Sequence, residues 1–494
     1  MTRGWREAGG WAAALAIALA VVAQVASTAR AGLLFRDGDS LIVALFTRSL
    51  FEGQPQDWAF SSVLFIPEVA VFALLRATLP WLAVDGLLAV SAVVNVLALY
   101  GALRLAAGRS TPGRAPVAWA LLATGAFGLL AVTETSSSRD AFEPASLLLT
   151  TTYYSATVIA MLVSAGLVGR TVEHPRRASV IALGAVAAIS TLSNPLYAAW
   201  TTAPLALLLA ARLLRRTTGA LAPLLALCGG SFIGFLLRIP LSAWIANSGA
   251  GYANPSQWGV ALGYYGGLLA ERVSSPGGIL SAVFVLGMVA LCVARTRRGV
   301  GGARLIAAAG WLIPLVVVVG AIALGTHAGR YLQPVVFAPL LGLVASPRTV
   351  RIPRIVVRTV AAACGAVLLV LSAISIPRLS GAAAAEDRDL DCVTSWVSSS
   401  GRIGGGQFWT VRLPKLHLPD PSRLVQVDHA LNGYAWLVNR TDFAAGELTF
   451  LVQDAQSTPW ALPGGAAADV TISCGRYTIL DFASHPLRIG PQRS

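Results

Sequence analysis

The sequence predicts an all-α polytopic membrane protein of about 11 transmembrane helices, carrying a small extracytoplasmic α+β domain at its C-terminal end. Three observations point there. Of 494 residues, 55% are hydrophobic and only 12% charged, about half the charge of a soluble fold; mean hydropathy is +0.68. Apolar stretches of roughly 20 residues, the length that crosses a ~30 Å hydrocarbon core, recur between clusters of arginine. After Ile376-Pro377 the composition shifts to Asp, Gly and Ser with short alternating segments.

The first apolar run, residues 11–34, is interrupted only by Arg30. No small-residue cleavage site follows a short apolar core, so it reads as a retained anchor and not a removed signal peptide. Basic clusters follow at Arg3/Arg6, Arg104/Arg109/Arg114, Arg170/Arg176/Arg177, Arg212/Arg215/Arg216, Arg295/Arg297/Arg298/Arg304 and Arg348/Arg351/Arg354/Arg358. Arginines that flank spans mark the cytoplasmic side. The net charge of +14 therefore speaks for a lipid bilayer as partner and against nucleic acid. Each pair of clusters must then enclose an even number of crossings. Residues 115–134 and 147–169, 178–194 and 196–213, 219–243 and 277–294, and 304–325 and 331–346 form such pairs. A last span, 355–376, leaves the C-terminus outside.

Upstream, three apolar stretches, 11–34, 61–79 and 81–103, separate two cytoplasmic clusters. Parity is restored if 61–79, which holds Pro67, Glu68 and Arg76 and ends at Pro80, lies on the outer leaflet. The alternative is a twelfth span with one misplaced cluster. The first reading makes residues 35–80 a long outer loop and divides the chain into a membrane domain, 1–380, and an extracytoplasmic domain, 381–494. The protein is then multi-pass in the plasma membrane, with its N-terminus cytoplasmic.

The outer loops collect the chemistry. Arg36-Asp37-Gly38-Asp39 stands at the exit of the first span, and Glu134-Thr-Ser-Ser-Ser-Arg139-Asp140-Ala-Phe-Glu143 forms the second outer loop. Thr150-Thr-Thr-Tyr153-Tyr154-Ser155 opens a span, and Ser193-Asn194-Pro195 is a turn signal. Thr326-His327-Ala328-Gly329-Arg330-Tyr331 is the last outer loop. Ionisable groups near membrane depth line a cavity or pair with one another. Arg330 and Arg238 are the candidates for an anion, because a guanidinium matches phosphate oxygens bidentately; the plainer reading pairs them with Asp140 or Glu143. His327 is either an acid–base group or an ordinary loop histidine. Asp37 and Asp39 are either a partly desolvated base or a solvated helix end beside Arg36.

The layout resembles the GT-C superfamily of membrane glycosyltransferases: many spans, acidic residues just after the first span, a Pro-containing surface helix before the second (Phe65-Ile66-Pro67-Glu68), and a C-terminal domain after the last. A single Pro67 stands where that family commonly has two prolines. The resemblance implies a sugar transferred from a polyprenyl-phosphate donor to an extracytoplasmic envelope glycan, lipid or protein. Arg330 would stabilise the leaving phosphate. Asp37, nearer the span, would be first choice as the base that takes the acceptor proton, and Asp39 second. Asp140 or Glu143 would orient the acceptor or hold a divalent metal, Mg or Mn. Arg139, Tyr331, His327 and Arg238 complete the candidates for holding substrate.

In the C-terminal domain, residues 391–399 read as a helix, and 407–412, 424–427, 436–439, 448–453 and 470–482 as strands. Gly404-Gly405-Gly406-Gln407 reads as a loop, and is no P-loop because no Lys-Ser/Thr follows. Trp409, Tyr434, Trp436 and Trp460 either pack a core or stack on sugar rings. Cys392 and Cys474 are the one sensible disulfide pair in an oxidising compartment; Cys228, Cys292 and Cys364 lie in apolar runs. Three other functions compete: a transporter or flippase, which would need mid-bilayer polar residues and repeat symmetry, a polysaccharide polymerase or ligase, and a non-enzymatic envelope scaffold.

Overall fold

Long apolar runs can satisfy their backbone in lipid only as helices or closed barrels, and this chain folds mostly as helix. The computed structural model describes residues 3–349 and 353–494. Of the arginines read as flanking the spans, Arg351 lies outside the described residues. Seven described helices are long and apolar enough to cross a membrane: Gly4–Val25, Val84–Ala106, Ser155–Glu173, Leu221–Arg238, Pro276–Arg298, Gly301–Ala323 and Ala362–Ala383. Shorter apolar helices, among them Pro116–Val132, Arg177–Ser193 and Ala198–Leu214, pack alongside. Ser155–Glu173 runs through the centre, with 72% of its most apolar stretch buried, against 11% for Ala362–Ala383 at the rim. Outward faces carry Phe232, Ile233, Leu236, Val283, Leu286 and Leu369, the apolar surface expected of lipid contact.

The arginine-rich termini gather at one end of the bundle. Arg104 binds Glu7 at 2.5 Å, Arg170 binds the Leu105 carbonyl at 2.7 Å, and Arg295 binds the Leu343 carbonyl at 3.0 Å. The acidic turn at 36–39 and the loop at 134–143 sit at the other end.

Several runs differ from the regular spans expected. Residues 11–34 are not one helix: the first helix ends at Val25, the chain turns over Arg30, and Ala31–Phe35 is a separate helix. The run expected from 147 becomes α-helical only at Ser155, because the hydroxyl-rich segment before it bonds elsewhere; Thr151, for example, donates to the Ser40 carbonyl at 2.7 Å. Residues 331–346 break into short turns, Pro334–Phe337, Ala338–Leu340 and Leu341–Val344, since Pro334 and Pro339 each lack a backbone donor. The stretch 61–79 contains the helix Ile66–Thr78, whose 13 residues make about 20 Å, too short for a ~30 Å core. The long loop at 245–276 holds a helix, Trp258–Val273.

The C-terminal domain is built on a five-stranded sheet in the order 424–426, 404–406, 450–453, 477–481, 470–474. The first three strands are parallel and the last two form an antiparallel hairpin. Residues 407–412 are not the expected strand but the start of the helix Phe408–His417. Strands Gly404–Gly406 and Leu424–Gln426 are parallel neighbours, so the chain between them must cross over, and a helix does so. Gly404-Gly405-Gly406, expected as a loop, is therefore a central strand. A Cβ on Gly406 would sit 2.6 Å from the Val452 carbonyl, so only glycine lets the neighbours close in. The helix around 391–399 runs Arg388–Ser400 and is joined by a Cys392–Cys474 disulfide to the hairpin, with Cα atoms 5.5 Å apart.

The two domains are stitched together. Trp58–Ala59 of the first outer loop pairs antiparallel with Val438–Asn439. Arg440 binds Asp57 at 2.8 Å, and Arg48 donates to the Leu418 and Pro419 carbonyls at 2.7 and 2.6 Å.

Candidate functional site

At the junction of the domains, a cavity of about 420 Å³ is lined by the polar residues Asp39, Tyr153, Tyr154, Tyr252, Arg330 and Tyr331 and by Trp436 of the C-terminal domain. Trp200, Val316, Val317, Ala321 and Leu324 add apolar wall. One wall is shaped by the π-helical turn Ala198–Thr202, the kind of bulge that widens a helix at a site of function.

The acidic turn is held from three sides. Asp37 Oδ1 accepts from the Ser40 amide at 3.2 Å and from the Tyr153 hydroxyl at 2.6 Å, and Oδ2 lies 3.4 Å from Arg139 Nη1. Asp39 is held more loosely, its Oδ2 lying 3.4 Å from the Tyr153 hydroxyl. Gly38, between them, lies against the C-terminal helix Phe408–His417; a Cβ there would come within 3.1 Å of Trp409 and 3.3 Å of Phe408. Trp409 in turn stacks on the Arg139 guanidinium at 4.1 Å.

From Asp37 an alternating chain of charge crosses the site. Arg139 meets Asp37 at 3.4 Å and Asp140 at 3.7 Å; Asp140 meets Arg330 at 2.6 Å. The loop carrying Arg139 and Asp140 is anchored by Arg30, which is 1% exposed. Arg30 binds Ser146 Oγ and the Ser136 carbonyl, both at 2.8 Å, and lies 3.4 Å from Glu134 and 3.7 Å from Glu143.

These contacts set the electrostatics. Burial, reinforced by Asp37, pushes the Asp39 carboxyl up to about 6, although Arg139, Arg330 and Arg412 pull it back. Burial, and then the two aspartates, hold the Tyr153 hydroxyl well above its ordinary value, so it stays a proton donor to them. Burial disfavours the Arg330 cation, but Tyr154 and Asp140 outweigh it and hold its pKa above the usual range. The result is a charged arginine and a carboxylate of intermediate basicity facing one partly apolar chamber.

Of the residues singled out in the sequence, Asp37, Asp39, Arg139, Asp140, Arg330 and Tyr331 come together here. Three do not. Glu143 is spent on structure, accepting from Arg272 at 2.6 Å and from the Thr135 and Ser136 amides. Arg238 donates to the Leu192 and Ser62 carbonyls, both at 2.7 Å. His327 is exposed and rests against Tyr264. Among the described residues no three His, Cys, Asp or Glu side chains group as a metal site. Asp140 and Glu143, the carboxylates offered to a divalent ion, are already held by arginines, so no step is routed through a metal. Sequence reasoning assigned no role to Tyr153, Arg30 or Arg412; only the hydroxyl-rich run around Tyr153 hinted at one. No protein-family model and no curated protein matches the chain.

Proposed function

We propose that the chain is an integral-membrane glycosyltransferase, as its layout suggests, moving a sugar from a polyprenyl-phosphate donor to an extracytoplasmic envelope glycan, lipid or protein. The observation that carries this reading is that Asp39 and Arg330 line one chamber together with apolar side chains. A lipid-linked sugar phosphate needs that combination: a fixed cation, a base and greasy walls.

In this reading the acceptor hydroxyl gives its proton to Asp39 as its oxygen bonds to the anomeric carbon. The bond from that carbon to the phosphate oxygen breaks, and the phosphate leaves with the electron pair. Arg330 stabilises the developing negative charge, aided by low local polarity. Asp39 suits the base better than Asp37, because Asp37 is tied to Arg139 and Tyr153 while Asp39 opens on the chamber. Taking Pro116–Val132, Arg177–Ser193, Ala198–Leu214 and the broken 331–346 segment as crossings beside the seven long helices would make the 11 spans expected, with the arginine-rich end cytoplasmic and the C-terminal domain outside.

The test uses purified full-length protein with polyprenyl-phosphate-linked hexoses and pentoses. Arg330→Gln is expected to lower transfer by about 10²–10³-fold, and Arg330→Lys to retain more of it. Full activity in Arg330→Gln, or neither binding nor transfer of any such donor by the wild type, would sink the reading.

A further inference from the structure

Arg412 belongs to the C-terminal domain yet reaches the membrane domain's acidic turn. Its Nε donates to the Gly38 carbonyl at 2.6 Å, its Nη1 donates to the Leu437 carbonyl, and its Nη2 has no partner among the described residues. The side chain is 1% exposed. It is bonded to two carbonyls and to no carboxylate. A buried, unpaired guanidinium is costly, and burial pushes its pKa down to about 10; the charges that oppose this are Asp39 and Asp37. Its ring contact is Phe408, 4.9 Å away, which offers little compensation. A structural clamp on Gly38 would need only a neutral donor.

We propose that Arg412 is a positioning residue for Asp39: from the C-terminal domain it locks the Gly38 turn and adds a fixed positive charge beside the two aspartates. The aspartate turn is then competent only with that domain docked. The assignment of Asp39 as base rests on the function proposed above; the electrostatic claim does not. Other charged and titratable groups facing Asp39 are Asp37 on its own turn, Arg139 from the second outer loop, Tyr153 and Tyr154 at the start of the central helix, Arg330 from the last outer loop, and Tyr252 and Tyr434. Arg139 and Arg330 each have Asp140 as a competing partner, whereas Arg412 has none.

The experiment follows the Asp39 carboxyl by infrared titration of full-length protein in micelles, as the difference between each protein and its Asp39→Asn derivative. Arg412→Gln keeps a donor for Gly38 but removes the charge. Its Asp39 midpoint is expected to rise by about one pH unit, while Arg412→Lys stays near the wild type. The acid limb of the transfer pH profile should move in parallel. An unchanged midpoint in Arg412→Gln, or a shift as large in Arg412→Lys, overturns the proposal. If Arg412→Gln does not fold, Arg412→Lys alone decides, a wild-type midpoint supporting the proposal and a raised one refuting it. Absence of all transfer by the wild type would refute the glycosyl-transfer reading and leave the titration to judge Arg412.

Discussion

Asp39→Asn tests the site without presupposing its substrate. A carboxyl whose folded pKa stands at about 6 against an ordinary 3.8 holds its proton more tightly in the folded state. Its contribution to stability is full below pH ~4 and is lost as pH rises through ~6. At ~1.4 kcal/mol per pKa unit, ionising it in the folded protein costs up to about 3 kcal/mol at neutral pH. That figure is a ceiling, because Asp39 keeps contact with the chamber. Asparagine has nearly the same shape and no charge, so it removes the penalty. Thermal unfolding in detergent, followed through the 13 tryptophans, should show Asp39→Asn more stable than wild type at pH 7.5, with the gain cut to about a third at pH 4.5. Transfer should fall by about 10²–10⁴-fold, the usual share of general-base catalysis. In the wild type, activity should drop about tenfold between pH 7 and pH 5 as the base protonates. A gain in stability with a loss of function is the mark of a residue kept for chemistry. Equal unfolding at both pH values, or a destabilised Asp39→Asn, would refute the reasoning.

Two further outcomes concern the scaffold. Arg30→Met should leave buried Glu134 without its cation, while Glu143 keeps Arg272, and cost about 3–5 kcal/mol, seen as a lower unfolding temperature and poor yield; wild-type melting would count against the network. Reducing Cys392–Cys474, 82 residues apart, should destabilise the C-terminal domain by about 4 kcal/mol on the chain-entropy account. Limited proteolysis should then cut the segment between Asp454 and Val470 faster, and an unchanged rate would show that the bridge is dispensable.

The sequence carried the parts of this molecule that depend on local composition. Runs of apolar residues announced the long apolar helices, the prolines and charges around Glu68 flagged a stretch that holds only a 13-residue helix, and two polar-domain cysteines stood out as partners. Asp37, Asp39 and Arg330 could be placed at one end because arginine parity fixes which loops share a side. What stayed hidden depends on contacts across the chain. Tyr153 lies 116 residues from Asp37, and Arg412 lies 374 residues from Gly38; neither has a motif around it. Gly404-Gly405-Gly406 looked like a loop because glycine disfavours strands, and only close packing against Phe450 and Val452 explains it. Arg30 looked like an interruption in a span, when it lies beyond the helix end at Val25 and binds the loop at 134–146.

That loop explains how a base and a cation can share a small chamber without cancelling each other. A carboxylate and a guanidinium left in direct contact in a medium of low polarity would form a tight pair, and neither would be free to act. Here the adjacent residues Arg139 and Asp140 stand between them, Arg139 occupying Asp37 and Asp140 occupying Arg330. Among the described residues Asp39 is thereby left without an ion-pair partner of its own and is held above the usual carboxylate range, while Arg330 keeps a charge that only part of its fork has spent. Such a spacer works only if it is rigid, since about 1 Å of slack would let the charges re-pair. The buried Arg30 network beneath the loop and the Trp409 ring over Arg139 supply that rigidity, one from the membrane domain and one from the C-terminal domain.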